Sequence, residues 1–117
     1  MARVDPEEGN LAFTKWLRHP GQIGRGDLLL AVRHTLQALA ADLPGRSVEV
    51  RVPPAGAVQI LGGTTHRRGT PPAVVEMSPH TWLSLCAGEI SWEKAEENGL
   101  VDASGEGANL AQYFPRL

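Results

Sequence analysis

The sequence predicts a mixed α/β (α+β) domain, and three stretches of it carry that prediction. Residues 47–52 alternate without a fault: Val48, Val50 and Val52 face one way, Ser47, Glu49 and Arg51 the other. That pattern is a strand with one buried face. Leu29, Val32, Leu36, Leu39 and Leu43 recur at spacings of three and four, which places them on one face of a helix. In the last third, two short segments each start at a serine and close at a glycine, and a weakly alternating run follows them.

Taken in order, residues 1–9 are polar and are expected to be mobile. Leu11, Phe13, Trp16 and Leu17 then form a small apolar cluster with room for a helical turn or two before Pro20-Gly21 and the glycines at 24 and 26. Residues 1–26 thus read as an N-terminal arm, and 27–117 as the domain proper. The arm packs on its own domain, on a second subunit, or over a ligand entrance.

Asp27 is a good N-cap for the helix that carries the leucine stripe, because its carboxylate can accept from free backbone N–H groups. Arg33, His34, Gln37 and Ala41 make that helix's solvated side, and Pro44-Gly45 stops it. After the strand at 47–52, Pro53 to Gly56 supplies a turn. Residues 57–61 read as the antiparallel partner strand. Residues 64–70 read as a third strand with a polar face or as a loop. Pro71-Pro72 withholds two donors from any ladder. Ala73 to Met77 is apolar enough to be a central strand.

Ser78-Pro79 is a cap followed by proline at the first helical position. Trp82, Leu83, Leu85 and Cys86 make the helix after it apolar around most of its girth, and Gly88 can close it. Ser91 caps the next helix and Asn98-Gly99 ends it. Residues 100–104 read as the last strand, and Asn109 to Phe114 as a terminal helix stopped by Pro115.

Composition narrows function. The chain has 117 residues, enough for one core, and a formal net charge of −2. Neither nucleic acid nor an anionic membrane is favoured electrostatically as a partner. A single cysteine, Cys86, cannot form an internal disulfide, and no apolar run follows the N-terminal arginine. Both fit a cytoplasmic protein without stable membrane insertion.

Catalytic signatures for nucleophile elbows, zinc helices, phosphate loops and dithiol pairs do not occur. The glycines at 21, 24 and 26 follow no strand, so they do not read as a dinucleotide fingerprint. His19, His34, His66 and His80 lack ligand spacing, and neither a metal nor a cofactor is expected. His80 lies in the first turn of its helix, where a positive ring would oppose the dipole, so it should be neutral. Cys86 sits near the C-terminal end of an apolar helix and reads as a packing residue. Glu89, Glu93, Glu96 and Glu97 read as a solvated face. His66-Arg67-Arg68 is a basic cluster. It reads as a charged loop or edge, or, with Arg51, as a carboxylate or phosphate site.

Beyond these readings, the chain resembles the sterol carrier protein family, and within it the short single-domain bacterial branch found in actinobacteria. Four stretches carry the resemblance: Val48-Glu-Val-Arg-Val-Pro-Pro54, Gly69-Thr-Pro-Pro72, Thr81-Trp-Leu83 through Gly88, and Gly99-Leu-Val-Asp-Ala-Ser-Gly105. The resemblance covers roughly residues 27–117. It implies a curved, mainly antiparallel sheet of about five strands with helices on one side. It also implies non-enzymatic binding or transfer of a fatty acid, acyl-CoA, other lipid or sterol in an apolar tunnel.

On that basis Val75, Trp82, Leu83, Leu85, Leu100, Leu110, Tyr113 and Phe114 are the ligand-lining candidates, with Arg67 and Arg68 for a charged head group. The same apolar residues would equally make a filled core, because periodicity does not separate the two. The polar stretch Trp92 to Asn98 departs from the better-known carriers. Two alternatives stand beside the carrier. One is a filled-core interaction module, dimeric through the Phe13-Trp16-Leu17 cluster. The other is a small isomerase-like enzyme.

Overall fold

Asp5 and Pro6 start the first helix, α1, which runs Pro6–Arg18. The Asp5 carboxylate accepts from the Glu8 N–H at 3.2 Å, and Glu7 and Glu8 in the first turn oppose Lys15 and Arg18 in the last. Charges placed this way complement the helix dipole. The ordered helix therefore begins within the stretch expected to be mobile. Its cap-and-proline start is the same device that is plain at Ser78-Pro79. The computed structural model describes residues 1–62 and 72–116.

Helix α2 spans Arg25–Asp42, starting two residues before Asp27. Asp27 does not cap it; the carboxylate lies in the first turn and pairs with Lys15 of α1 at 3.2 Å. Val32, Leu36 and Leu39 of the stripe are fully buried, as is Ala31. The opposite side is covered in part: Ala41 stays exposed, while His34 and Gln37 are half-buried. The Gln37 amide accepts from the Val4 N–H at 2.9 Å and donates to the Ala2 carbonyl at 2.6 Å, and His34 bonds Asn10 at 3.0 Å. Gly9 lets the two helices approach, since a Cβ there would fall on the His34 ring. The arm thus packs on its own domain. Phe13 and Trp16 are buried within the chain, while Leu11 is exposed.

Strand β1 (Gly45–Val52) pairs antiparallel with β2 (Gly56–Gly62). On its other side β1 pairs in parallel with β3 (Ala73–Met77), which in turn pairs antiparallel with β4 (Val101–Gly105). Among the described residues the sheet is four-stranded, in the order β2-β1-β3-β4. It is a mixed sheet, with two antiparallel pairings and one parallel pairing, where about five mainly antiparallel strands were expected. The parallel pair arises because the chain leaves β2 at one edge and re-enters beyond β1 in the same direction as β1. The stretch 64–70, read as strand or loop, lies outside the described residues. Val48, Val50, Val52, Ile60, Val75 and Met77 face the helices in one core. Arg51, Gln59, Glu76 and Asp102 lie on the exposed face.

Helix α3 (Pro79–Ala87) begins as expected, with the Ser78 hydroxyl accepting from the Thr81 N–H at 3.2 Å. It ends at Gly88 with φ 78°. Helix α4 (Trp92–Glu97) is capped by Ser91. The expected terminal helix is only a 3₁₀ turn, Ala111–Tyr113. The Asn109 side chain takes the Ala111 N–H at 3.0 Å, and Pro115 follows at once. A segment this short does not sustain an α-helix. No helix among the described residues is long and apolar enough to cross a membrane.

Candidate functional site

The apolar girth of α3 determines the site. Trp82, Leu83, Leu85 and Cys86 are all fully buried, so α3 needs cover around most of its girth, while His80 stays exposed. Part of that cover is α4, which turns Trp92 and Ala95 inward. Another part is the C-terminal segment, which buries Leu110 and lays Phe114 between two tryptophans. The Phe114 ring meets Trp82 edge-on, at 5.6 Å and 83°. It stacks on Trp92 at 6.1 Å and 11°. Both are favourable aromatic arrangements.

Beside Phe114 a crevice of about 220 Å³ remains, walled by residues that include Leu85, Gly88, Ile90, Trp92, Glu93 and Phe114. The segment that bears Phe114 is held on both sides of that residue, with the Tyr113 N–H donating to the Leu110 carbonyl at 3.0 Å. The Phe114 N–H reaches the Ala111 carbonyl at 3.4 Å, and the Arg116 N–H reaches the Cys86 carbonyl at 2.8 Å. The Arg116 guanidinium pairs with Asp42 of α2.

Three indoles are buried in this half of the molecule, and their N–H groups differ. Trp16 donates to His80 Nδ1 at 3.0 Å, which requires that nitrogen to be unprotonated. Trp82 donates to the Thr35 hydroxyl at 2.7 Å. Trp92 Nε1 is buried with no hydrogen-bond partner among the described residues.

Of the expected ligand-lining residues, the structure gathers Val75, Trp82, Leu83, Leu85 and Leu110 in the core. Leu85 and Phe114 also reach the crevice. Tyr113 is half-buried, with its hydroxyl accepting from Gln112 at 3.2 Å. Leu100 is not brought in: it is 43 % exposed just beyond α4. Arg67 and Arg68 lie outside the described residues. Arg51, their proposed companion, sits on the exposed sheet face and pairs with Glu49 at 3.0 Å. Trp92 and Ile90 were missed. The polar composition of α4 hid them, although Trp92 and Ala95 stand three apart, the spacing of one helical face.

The thiol of Cys86 is pushed up to about 12 by burial, against smaller opposing effects of the Arg116 charge and a hydrogen bond with Thr35. It is a poor nucleophile. Among the described residues, no group of three or more side chains stands ready to hold a metal ion.

Four helices on a mixed four-stranded sheet, with an aromatic-lined crevice beside the C-terminal segment, make a small mixed α/β domain among the described residues. Residues 24–116 match the family described as bacterial SCP ortholog, so the chain belongs to the sterol carrier protein family in its bacterial branch. No curated protein matches the chain significantly.

Proposed function

We propose that this chain binds an apolar small molecule, a fatty acyl chain or another lipid, and carries it without changing it chemically. The observation that carries this reading is Phe114. It is a large, half-buried apolar side chain just after the 3₁₀ turn, and it fills the space between Trp82 and Trp92. The crevice alone, about 220 Å³, is smaller than the roughly 300–1,000 Å³ of ordinary small-molecule sites. Swinging Phe114 out adds its own volume and uncovers further apolar wall. The ligand then replaces the contacts that Phe114 gives up, so the core is never left empty.

Membership in the family supports a lipid ligand at this coarse level. The inert Cys86 thiol supports a binder over a thiol-dependent enzyme. Its reduced state would suit the cytoplasm. Arg67 and Arg68 are the proposed contacts for an anionic head group. Neutralising both should weaken acyl-CoA or fatty-acid binding more than sterol binding, and equal effects would remove them from the site.

One observation favours a second reading. Val75, Trp82, Leu83, Leu85 and Leu110 are already fully buried, as in a filled-core interaction module. Native mass spectrometry separates the two readings. The protein would be measured as purified, then after delipidation with a panel of fatty acids, acyl-CoA and sterols. A one-to-one adduct supports the carrier. A bare mass against the whole panel supports the filled core.

A further inference from the structure

The C-terminal segment, residues 108–116, buries Ala108 and Leu110 and sets Phe114 between Trp82 and Trp92. Most of its polar contacts stay within it. Asn109 takes the Ala111 N–H, and the Tyr113 and Phe114 N–H groups reach back to the Leu110 and Ala111 carbonyls. Among the described residues, the polar ties that leave the segment are both made by Arg116. Its N–H donates to the Cys86 carbonyl of α3 at 2.8 Å, and its guanidinium pairs with Asp42. Arg116 stands two residues beyond Phe114, so what holds Arg116 also holds the ring in its place.

Asp42 is a particular place for such a tie. It is the last residue of α2, and the last turn of that helix carries no basic residue. A carboxylate there adds to the negative end of the helix dipole, and a cation offsets both. Arg116 is that cation, brought from 74 residues away. The two partners differ in exposure: the Asp42 side chain is 64 % exposed and that of Arg116 20 %. Water and salt therefore reach the pair from the Asp42 side. An ion pair so placed is weak and is screened by salt, so it opens and closes readily.

We propose that the Arg116–Asp42 pair is a latch on the C-terminal segment, and that its opening, promoted by ionic strength, admits an apolar ligand beside Phe114. This rests on the reading of the Phe114 crevice as the ligand site, and it adds how entry to that site is regulated. With the pair open, Arg116 keeps one backbone hydrogen bond, and Phe114 is held mainly by the Trp82 and Trp92 rings. Those are apolar contacts, which an incoming acyl chain can replace.

The test uses the full chain and two rates measured side by side. One is hydrogen exchange at the Arg116 amide, read by NMR, which follows how often the segment leaves α3. The other is association of the methyl ester of dansylaminoundecanoic acid, an uncharged fluorescent acyl probe, chosen so that salt acts on the protein alone. Raising NaCl from about 10 mM to about 500 mM should speed both by the same factor, about threefold, as expected for one surface ion pair. Asp42→Asn should be fast already at low salt and indifferent to more. Asp42 is exposed, so asparagine there leaves the core packing alone, and the wild-type salt series stands without the variant.

Arg116 exchange that ignores both salt and Asp42→Asn overturns the latch. Exchange that responds while the probe associates at one unchanged rate overturns the gating role and leaves the site standing. A probe that never binds, whatever the exchange does, overturns the carrier site and the gate together.

Discussion

Where α1, α2 and α3 meet, each buried indole has an acceptor: Trp16 has His80 and Trp82 has Thr35. Where α3, α4 and the C-terminal segment meet, Trp92 has none among the described residues, and a crevice opens beside it. The first junction is closed by the 13-residue α1, whose Gly9 lets it lie close against His34 of α2. The second is closed by a 3₁₀ turn and a single phenylalanine. A small domain must satisfy its buried polar groups wherever it is permanently closed. On the function proposed above, the second junction is the one that opens to a ligand.

That contrast breaks most visibly at Trp82, which belongs to both junctions. Trp82→Ala should cost about 3–5 kcal/mol in a denaturant titration, because it removes a fully buried ring and strands the Phe114 edge. The closed junction is tested alone by Gly9→Val. Its side chain would press on His34 and lift α1, with a loss of about 1–3 kcal/mol. A variant as stable as wild type would mean that α1 is only loosely held.

The donors themselves are compared by Trp82→Phe and Trp92→Phe. Both shorten the ring, but only the first breaks a hydrogen bond. The Trp82 variant should be the less stable by about 1 kcal/mol. Equal losses would show that the Trp92 N–H is satisfied in solution.

The smallest effect is at Cys86. Its thiol, raised to about 12, should label slowly with an aromatic disulfide, with no rise in rate between pH 7 and 9. The sign for stability follows from the same shift. In the unfolded chain the thiol ionises near its ordinary value of 9.0, whereas the folded one holds its proton. This contribution to stability is complete below pH 9 and is lost as pH rises toward about 12. A labelling rate that climbs with pH as a free thiol's does would mean the α3 core is open.

Local chemistry made much of this fold legible. The valines of β1, the Ser78-Pro79 start and the Gly88 stop all act within a few residues, and each stands where its pattern puts it. What the sequence hid depends on distant partners. The side of α2 carrying His34 and Gln37 reads as solvated because nothing local says that α1 will cover it. The parallel β1–β3 pairing depends on where the chain crosses, which no strand pattern encodes.

Within the site, Trp82, Leu85 and Phe114 were visible as apolar residues of the region that the family resemblance covers. Leu100 was equally apolar and yet faces solvent. Trp92 was hidden by its acidic neighbours. Its missing acceptor is a property of the packed structure alone.

The central claim, that a lipid enters beside Phe114 and leaves the α1 junction untouched, is tested most directly by the three indole resonances during titration with a fatty acyl ligand. The account predicts that Trp92 shifts as the ligand saturates while Trp16 stays fixed. A shift of Trp16 as large as that of Trp92, or no shift at any indole, would contradict it.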